Sequence, residues 1–301
     1  MNIRAELSGV KMRNPTVLPS GILGTGGGLL KRAAEAGAGA VTTKSIGPRE
    51  RTGHANPTVI KWEHGVINAV GLPTPGYANM ADEWAEIKKI RAPVIASIYG
   101  GSVEEFVEVA KAVAKEKPAI IELNISCPNS EKHGQLFGFE PEPAAEVTRA
   151  VKKVCGSVPV MPKLTPNTHK IAEVAKACEK AGADAICAIN TVQGMLINAE
   201  AKKPVLANKF GGISGGAIKP VALKCVYEIY ENVKVPILGM GGISNGRDAI
   251  EMIEAGATAI GIGSAAYKGM GIFSEVCTEM EEWMQKNGYS SLKQLRGAAH
   301  E

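Results

Sequence analysis

Short, uniformly apolar runs alternate along most of the chain with stretches in which apolar residues recur every three or four positions. The apolar runs predict strands over 15–20, 40–44, 94–98, 120–125, 158–163, 185–189, 237–240 and 259–263. The amphipathic stretches between them predict helices, among them 103–115, 143–154, 171–181, 219–230 and 248–255. Three joints share one wording: Glu35-Ala-Gly-Ala-Gly-Ala-Val41, Lys180-Ala-Gly-Ala-Asp-Ala-Ile186 and Glu254-Ala-Gly-Ala-Thr-Ala-Ile260. Each sets Gly just past a helix, where a left-handed cap is needed, and small alanines where helix and strand must pack closely. Strands that are apolar at every position belong to a parallel sheet covered by helices on both faces. Eight such units predict an α/β fold, a (β/α)8 TIM barrel, with an open doubly wound sheet as the alternative. Residues 1–301 are expected to form one domain, since no linker divides them. The residues before Pro15 and the segments 45–80 and 190–218 are extra elements, the last two lying over the C-terminal face.

Composition narrows the picture without changing it. The 301 residues are 45% hydrophobic and 21% charged, with 35 glycines and 5% aromatics, which suits a soluble fold with many tight turns. Net charge is +4, but lysines and acids interleave on the predicted helices, so the charge reads as solvated faces and not as a nucleic-acid surface. Neither a signal peptide nor a membrane span is expected, and the chain reads as cytoplasmic. The 6 cysteines include no CxxC pair, so spacing supports neither a zinc site nor an iron–sulfur cluster, and disulfides are not expected. No metal site is expected.

In a barrel, chemistry collects where strands finish. Ser20-Gly21, Thr43-Lys44-Ser45, Asn124 to Asn129, Lys163-Leu-Thr-Pro-Asn167, Asn190-Thr191, Gly239-Met-Gly-Gly242 and Gly261-Ile-Gly-Ser264 all stand there. Gly241-Gly242 and Gly263-Ser264 follow the last two strands, where backbone N–H groups can cradle a phosphate; a plain tight turn is the bland alternative. Lys44 and Lys163 read either as snorkelling side chains or as fixed cations beside an anionic ligand. Cys155, Cys178, Cys225 and Cys277 fall in helical patterns and Cys187 in a strand, all as packing residues. Cys127 differs, standing in a polar loop before Pro128.

Asn124-Ile-Ser-Cys-Pro-Asn129, Asn68-Ala-Val-Gly-Leu72, Thr43-Lys44-Ser45, Lys163-Leu-Thr-Pro-Asn167, Asn190-Thr191 and Gly211-Gly-Ile-Ser-Gly215 closely resemble class 1 dihydroorotate dehydrogenase, in the same order over essentially the whole chain. The resemblance implies oxidation of (S)-dihydroorotate to orotate in pyrimidine biosynthesis by an FMN enzyme. Cys127 would take the C5 proton while the C6 hydride goes to flavin N5. Asn124, Asn129, Asn68, Ala69, Val70, Gly71, Leu72, Asn190 and Thr191 correspond to substrate contacts, carboxamides suiting a ring that offers both N–H donors and carbonyl acceptors. Lys44 is shared between substrate and flavin, and Lys163 matches a cation beside the flavin N1–C2 edge, where it favours the anionic reduced form. Ser20, Ser45, Ser97, Asn124, Ile189, Gly215, Gly241, Gly242, Gly263 and Ser264 correspond to flavin-binding positions, the last four around the phosphate. The loop 130–139 resembles a movable lid.

The 130–135 loop and the 211–219 stretch are closer to the NAD-linked class 1B, which implies a homodimer core within a heterotetramer and a partner subunit carrying FAD and a 2Fe–2S cluster. The alternatives are a fumarate-dependent class 1A homodimer and an FMN oxidoreductase acting on another pyrimidine. Two positions depart from the pattern: Ser97 and Thr74 stand where the family usually has Asn. A sugar-phosphate lyase with Lys163 as Schiff-base former, or a flavin scaffold without catalysis, would leave Cys127 and the asparagines without a role.

Overall fold

The computed structural model describes residues 1–22, 26–126 and 137–300. Its centre is a closed barrel of eight parallel strands: β1 (Thr16–Leu18), β2 (Ala40–Thr42), β3 (Val94–Ile98), β4 (Ile120–Asn124), β5 (Val160–Leu164), β6 (Ile186–Ala188), β7 (Ile237–Met240) and β8 (Ala259–Gly261). Neighbours in the ring are neighbours in the chain, β8 closing onto β1 through Ile260↔Thr16 and Gly261↔Val17. Each strand is followed by its helix: α1 (Gly27–Glu35), α2 (Ala81–Ile87), α3 (Val103–Lys115), α4 (Pro141–Lys152), α5 (Ile171–Lys180), α6 (Lys219–Tyr230), α7 (Gly246–Glu254) and α8 (Ile272–Lys286). All eight expected strands are present, and the expected helices shift by about one or two residues at their ends, as frayed termini do. The one misplaced packing residue is Cys155, which lies in the bend past α4 and not on a helix, though still buried.

The strands are mostly apolar because both faces are covered. Val17, Ala40, Ile95, Ile120, Met161, Cys187, Leu238 and Ala259 form one buried cluster inside the barrel. The alternate positions, such as Leu18, Val41, Ile121, Val160, Ile186 and Ile260, join the helices in a second cluster. α3 shows how the sequence builds that layer. Ser102 caps it by accepting from Glu105 N at 3.3 Å, Glu104 and Glu105 stand in the first turn, and Phe106, Val109, Ala110 and Val113 form the buried stripe. At the three Ala-Gly-Ala joints the glycines have φ of 118° (Gly37), 99° (Gly182) and 119° (Gly256). The amide after each reaches back five residues, from Ala38 to Ala33 O, Ala183 to Cys178 O and Ala257 to Met252 O, which closes the helix as a Schellman cap does.

The additions are better organised than their sequence suggests. The N-terminal residues form a hairpin, Ala5–Leu7 with Val10–Met12, turned at Ser8 and Gly9, whose φ of 53° and 82° suit a two-residue primed turn. Ala5, Leu7 and Met12 join the interior cluster, and Ser8 Oγ donates to Asp184 O at 2.6 Å, so the hairpin stoppers the barrel at the end opposite the strand C-termini. The two long insertions meet in a single antiparallel sheet. Val192–Gly194 pairs with Gly211–Ser214, which pairs with Gly65–Asn68, which pairs with Val59–Trp62.

Candidate active site

The C-terminal ends of the barrel strands and the inserted sheet enclose a cavity of about 400 Å³. A volume of that order accommodates a cofactor-sized ligand. Ser20, Lys44, Ser45, Asn68, Ala69, Val70, Gly71, Leu72, Asn124, Lys163, Asn190 and Thr191 line it, residues expected to serve substrate or cofactor and drawn from five strand ends and one insertion. Cys127 and Asn129 lie outside the described residues, as does the stretch 130–136 of the expected lid. The last residues of that loop are anchored: Phe137–Phe139 is a single helical turn, Phe137 packs edge-on against Phe106 with ring centroids 5.8 Å apart, and Gly138 N donates to Ile125 O at 2.9 Å.

One hydrogen-bonded chain crosses the floor. Asn190 Nδ2 donates to Ser126 Oγ, and Ser126 Oγ donates to Asn124 Oδ1 at 3.1 Å. Asn124 Nδ2 donates to Ser45 Oγ at 3.1 Å, and Ser45 Oγ lies 2.9 Å from Ser97 Oγ and 3.4 Å from Ser20 Oγ. Two carboxamides are thereby fixed in orientation, Asn124 by a hydroxyl at each end and Asn190 by Ser126 Oγ and by Thr191 N, which donates to its Oδ1 at 2.8 Å. Ser97 is fully buried behind Ser45 and off the cavity wall, so its hydroxyl bears on Ser45. Ser126 and Asn167 line the cavity although neither was expected among the site residues. Ser126 stands inside the Asn-Ile-Ser-Cys-Pro-Asn run and Asn167 ends the Lys163 motif, so the signal was their place at a strand end. Asn167 Nδ2 donates to Thr165 Oγ1 at 2.9 Å and Thr191 O at 3.1 Å, while its Oδ1 accepts from Gln193 N at 2.8 Å.

The wall facing this floor comes from the insertions. Asn68 Nδ2 donates to Gly212 O at 3.2 Å, and a Cβ on Gly212 would lie 2.0 Å from Thr191 Oγ1, so Asn68, Gly212 and Thr191 are crowded together. The Val70-Gly71-Leu72 turn needs left-handed backbone, with φ of 80° at Gly71 and 55° at Leu72. Arg51 Nε fastens it to Gly71 O at 2.7 Å. Thr74 is buried and turned into this loop, its Oγ1 accepting from Gly76 N at 3.2 Å and Gly47 N at 3.4 Å, and it does not line the cavity.

The two lysines differ. Lys163 is buried within β5, and Lys44 stands two residues past β2, half-buried, close enough to Gly21 that a Cβ there would meet its Nζ at 3.5 Å. Ile189 is buried behind the cavity, just after a cis peptide that joins it to Ala188.

Gly215, Gly241, Gly242, Gly263 and Ser264 also stand off the cavity wall. They are gathered at the ends of β7 and β8: a Cβ on Gly215 would lie 3.5 Å from Ser264 Oγ, and one on Gly242 would lie 2.9 Å from Lys219 N. Gly215, Gly241 and Gly242 have φ of 99°, 133° and 77°, conformations that L side chains avoid. Lys219 is itself tied down, its Nζ 2.7 Å from Asp248 Oδ1 and 2.8 Å from Glu251 Oε2. Asp248 in turn accepts from Ser244 N at 2.9 Å and Ser244 Oγ at 2.8 Å. Burial pushes the Asp248 carboxyl up, but the bonds from Lys219 and Ser244 outweigh it and hold the group below its ordinary value.

The other cysteines are inert by environment. Burial pushes Cys155, Cys225 and Cys277 each up to about 11, and Cys178 to about 12. Among the described residues no helix is long and apolar enough to cross a membrane, and no cluster of His, Cys, Asp and Glu could hold a metal ion.

Residues 2–284 match the sequence model of the family described as dihydroorotate dehydrogenase. The chain is 50% identical over 297 residues to a protein of Methanosarcina mazei named dihydroorotate dehydrogenase B (NAD(+)), catalytic subunit, covering 98% of this chain and 94% of the relative. Proteins of the same name from Methanocaldococcus jannaschii and Pyrococcus abyssi are 47% and 44% identical, over 99% of this chain and 98% and 99% of theirs. With a family match over nearly its whole length, eight barrel strands in sequential order and a mouth lined by lysines and carboxamides, this chain belongs to the dihydroorotate dehydrogenase family.

Proposed function

We propose that the chain is the FMN-bearing catalytic subunit of an NAD-linked dihydroorotate dehydrogenase, oxidising dihydroorotate to orotate in pyrimidine biosynthesis. The observation that carries this reading is the oriented carboxamide floor, Asn190–Ser126–Asn124–Ser45, beneath a cavity into which both Lys44 and Lys163 reach. The family model and the named relatives agree with it.

The residues present fit FMN. The cavity has the necessary size, Lys163 offers a buried cation, and Gly241 and Gly242 after β7 leave backbone open where a side chain would collide with Ala222 or Lys219. Ser20, Ser45, Asn124 and Lys163 would hold the ring system, Ser97 and Ile189 would back them, Gly215 would lie against the flavin, and Gly241, Gly242, Gly263 and Ser264 would take the phosphate. Bound there, FMN supplies the acceptor for the hydride leaving C6 of the substrate.

The protein's own residues do the rest. Asn68, Asn124, Asn129, Asn190 and Thr191 present donors and acceptors to the amide edges of the ring, with the 69–72 backbone alongside. Lys44 provides the positive charge for the substrate carboxylate. Cys127 takes the C5 proton, and as an unperturbed thiol with a pKa of about 8.5 it would be mostly protonated at neutral pH. Electrons would leave through a partner subunit holding FAD and a 2Fe–2S cluster, in a cytoplasmic assembly built on a homodimer of this chain.

The test is a visible spectrum of the purified chain followed by anaerobic addition of dihydroorotate. The expected result is a yellow protein whose colour bleaches, faster from pH 6 to 9, with Cys127→Ser slowing the bleaching at pH 7. A protein that cannot be loaded with FMN, or one whose flavin dihydroorotate leaves untouched, contradicts the proposal.

A further inference from the structure

The middle of β4 carries an acid where an apolar residue would pack. Glu122 lies between Ile120 and Asn124 on the inward face of the strand, is 0% exposed, and has no hydrogen-bond partner on either carboxylate oxygen among the described residues. Its register neighbours are Ser97 on β3 and Met161 on β5. Burial of a carboxylate without donors is strongly disfavoured unless an opposite charge stands near.

That charge is Lys163. It pairs in register with Asn124, one pleat above Glu122, and on its other side with Cys187 of β6. The Cys187 thiol senses both groups: burial first and then Glu122 push it well above its ordinary value, while Lys163 pulls it down. The Cys187 S–H donates to Met240 Sδ at 3.9 Å and leaves the carboxylate without a hydrogen bond. Lys163 lines the cavity and Glu122 does not, and the register sets the two diagonally on the inward face of neighbouring strands with no hydrogen bond to either carboxylate oxygen.

We propose that Glu122 is a positioning residue for the redox step: a fixed negative charge behind Lys163 that moderates the positive field on a bound flavin. The proposal rests on the FMN reading above. A cation alone beside the ring would favour its reduced anionic state, and a centre that must hand its electrons on is served by less of that bias. In the barrel interior, where water does not screen, a carboxylate acts on the site without touching it.

The test is a redox titration of the FMN-loaded full chain against a reference dye, comparing the parent with Glu122→Gln, Glu122→Met and Lys163→Gln. Both Glu122 variants remove the charge, and Met keeps a comparable volume beside Met161 if Gln does not fold. The expected result is an equilibrium displaced about tenfold toward reduced flavin in each Glu122 variant, a rise of about 30 mV for a two-electron couple, and a displacement the other way in Lys163→Gln. Glu122 variants with the parent potential, beside a shifted Lys163→Gln, would overturn the proposal while leaving the flavin site in place. A silent Lys163→Gln, or a chain that holds no FMN, would overturn both.

Discussion

Ser126 is the hinge of the floor, and its removal tests whether the carboxamides are held or merely present. Its hydroxyl accepts from Asn190 Nδ2 and donates to Asn124 Oδ1 at 3.1 Å, so Ser126→Ala cuts both bonds and leaves Asn124 held only through Ser45 and Asn190 only through Thr191 N. A hydrogen bond contributes about 0.5–1.5 kcal/mol net, so the two together amount to about 1–3 kcal/mol. At 1.36 kcal/mol per tenfold, that corresponds to roughly 5- to 150-fold in kcat/KM if the whole loss falls on the transition state. Asn124 and Asn190 are half-buried, and solvent replaces part of what is lost, so a fall of about tenfold is expected. The assay is the anaerobic flavin-bleaching rate as a function of dihydroorotate concentration, with Ser126→Thr, which keeps the hydroxyl, as the control that should recover most of the rate. A Ser126→Ala rate within twofold of the parent at every concentration would refute the reasoning.

Two further outcomes follow from the buried charges and thiols. Lys219→Met removes the partner of Asp248, whose side chain is 9% exposed, and should cost about 2–4 kcal/mol in urea unfolding at pH 7, near the range for breaking a buried pair. Because Asp248 titrates below its ordinary value in the folded chain, its contribution is complete above the unfolded pKa of about 3.9 and lost as pH falls through the folded one. The gap between Lys219→Met and the parent should therefore narrow below about pH 4, and a gap that stays constant down to pH 3 would contradict the ion-pair account. Iodoacetamide applied to the folded protein at pH 8 should leave Cys155, Cys178, Cys187, Cys225 and Cys277 unmodified, since all are buried with their thiols pushed upward. Peptide mapping that finds Cys155 or Cys277 alkylated before unfolding would show that the burial is wrong there.

The barrel was legible because its rules are local. Uniformly apolar runs such as Ile237–Met240 and the repeated Ala-Gly-Ala joints declare buried parallel strands and helix ends without reference to the rest of the chain. The insertions were not legible, because a sheet made of 59–68 and 192–214 depends on pairing between segments more than a hundred residues apart, and Gly211-Gly212 reads as a turn until Asn68 is set beside it. The site divided the same way. Residues at strand ends could be named from position alone, whereas Ser126 mattered only once Asn124 and Asn190 were seen to flank it. Ser97 and Thr74, each set where a carboxamide was the expectation, turn out to bond Ser45 and the 47–76 loop and not to face the cavity. Glu122 gave no warning in the sequence, since an acid in an apolar run looks like a strand edge until both neighbouring strands are known.

The central claim is that this chain by itself performs the dihydroorotate half-reaction and no more. Its most direct test is an anaerobic incubation of the purified, FMN-loaded chain with excess dihydroorotate and NAD, with orotate measured by chromatography. The account predicts about one orotate per flavin, after which the reaction stops until an electron-transfer partner is added. No orotate, or sustained NAD reduction by the chain alone, would contradict it.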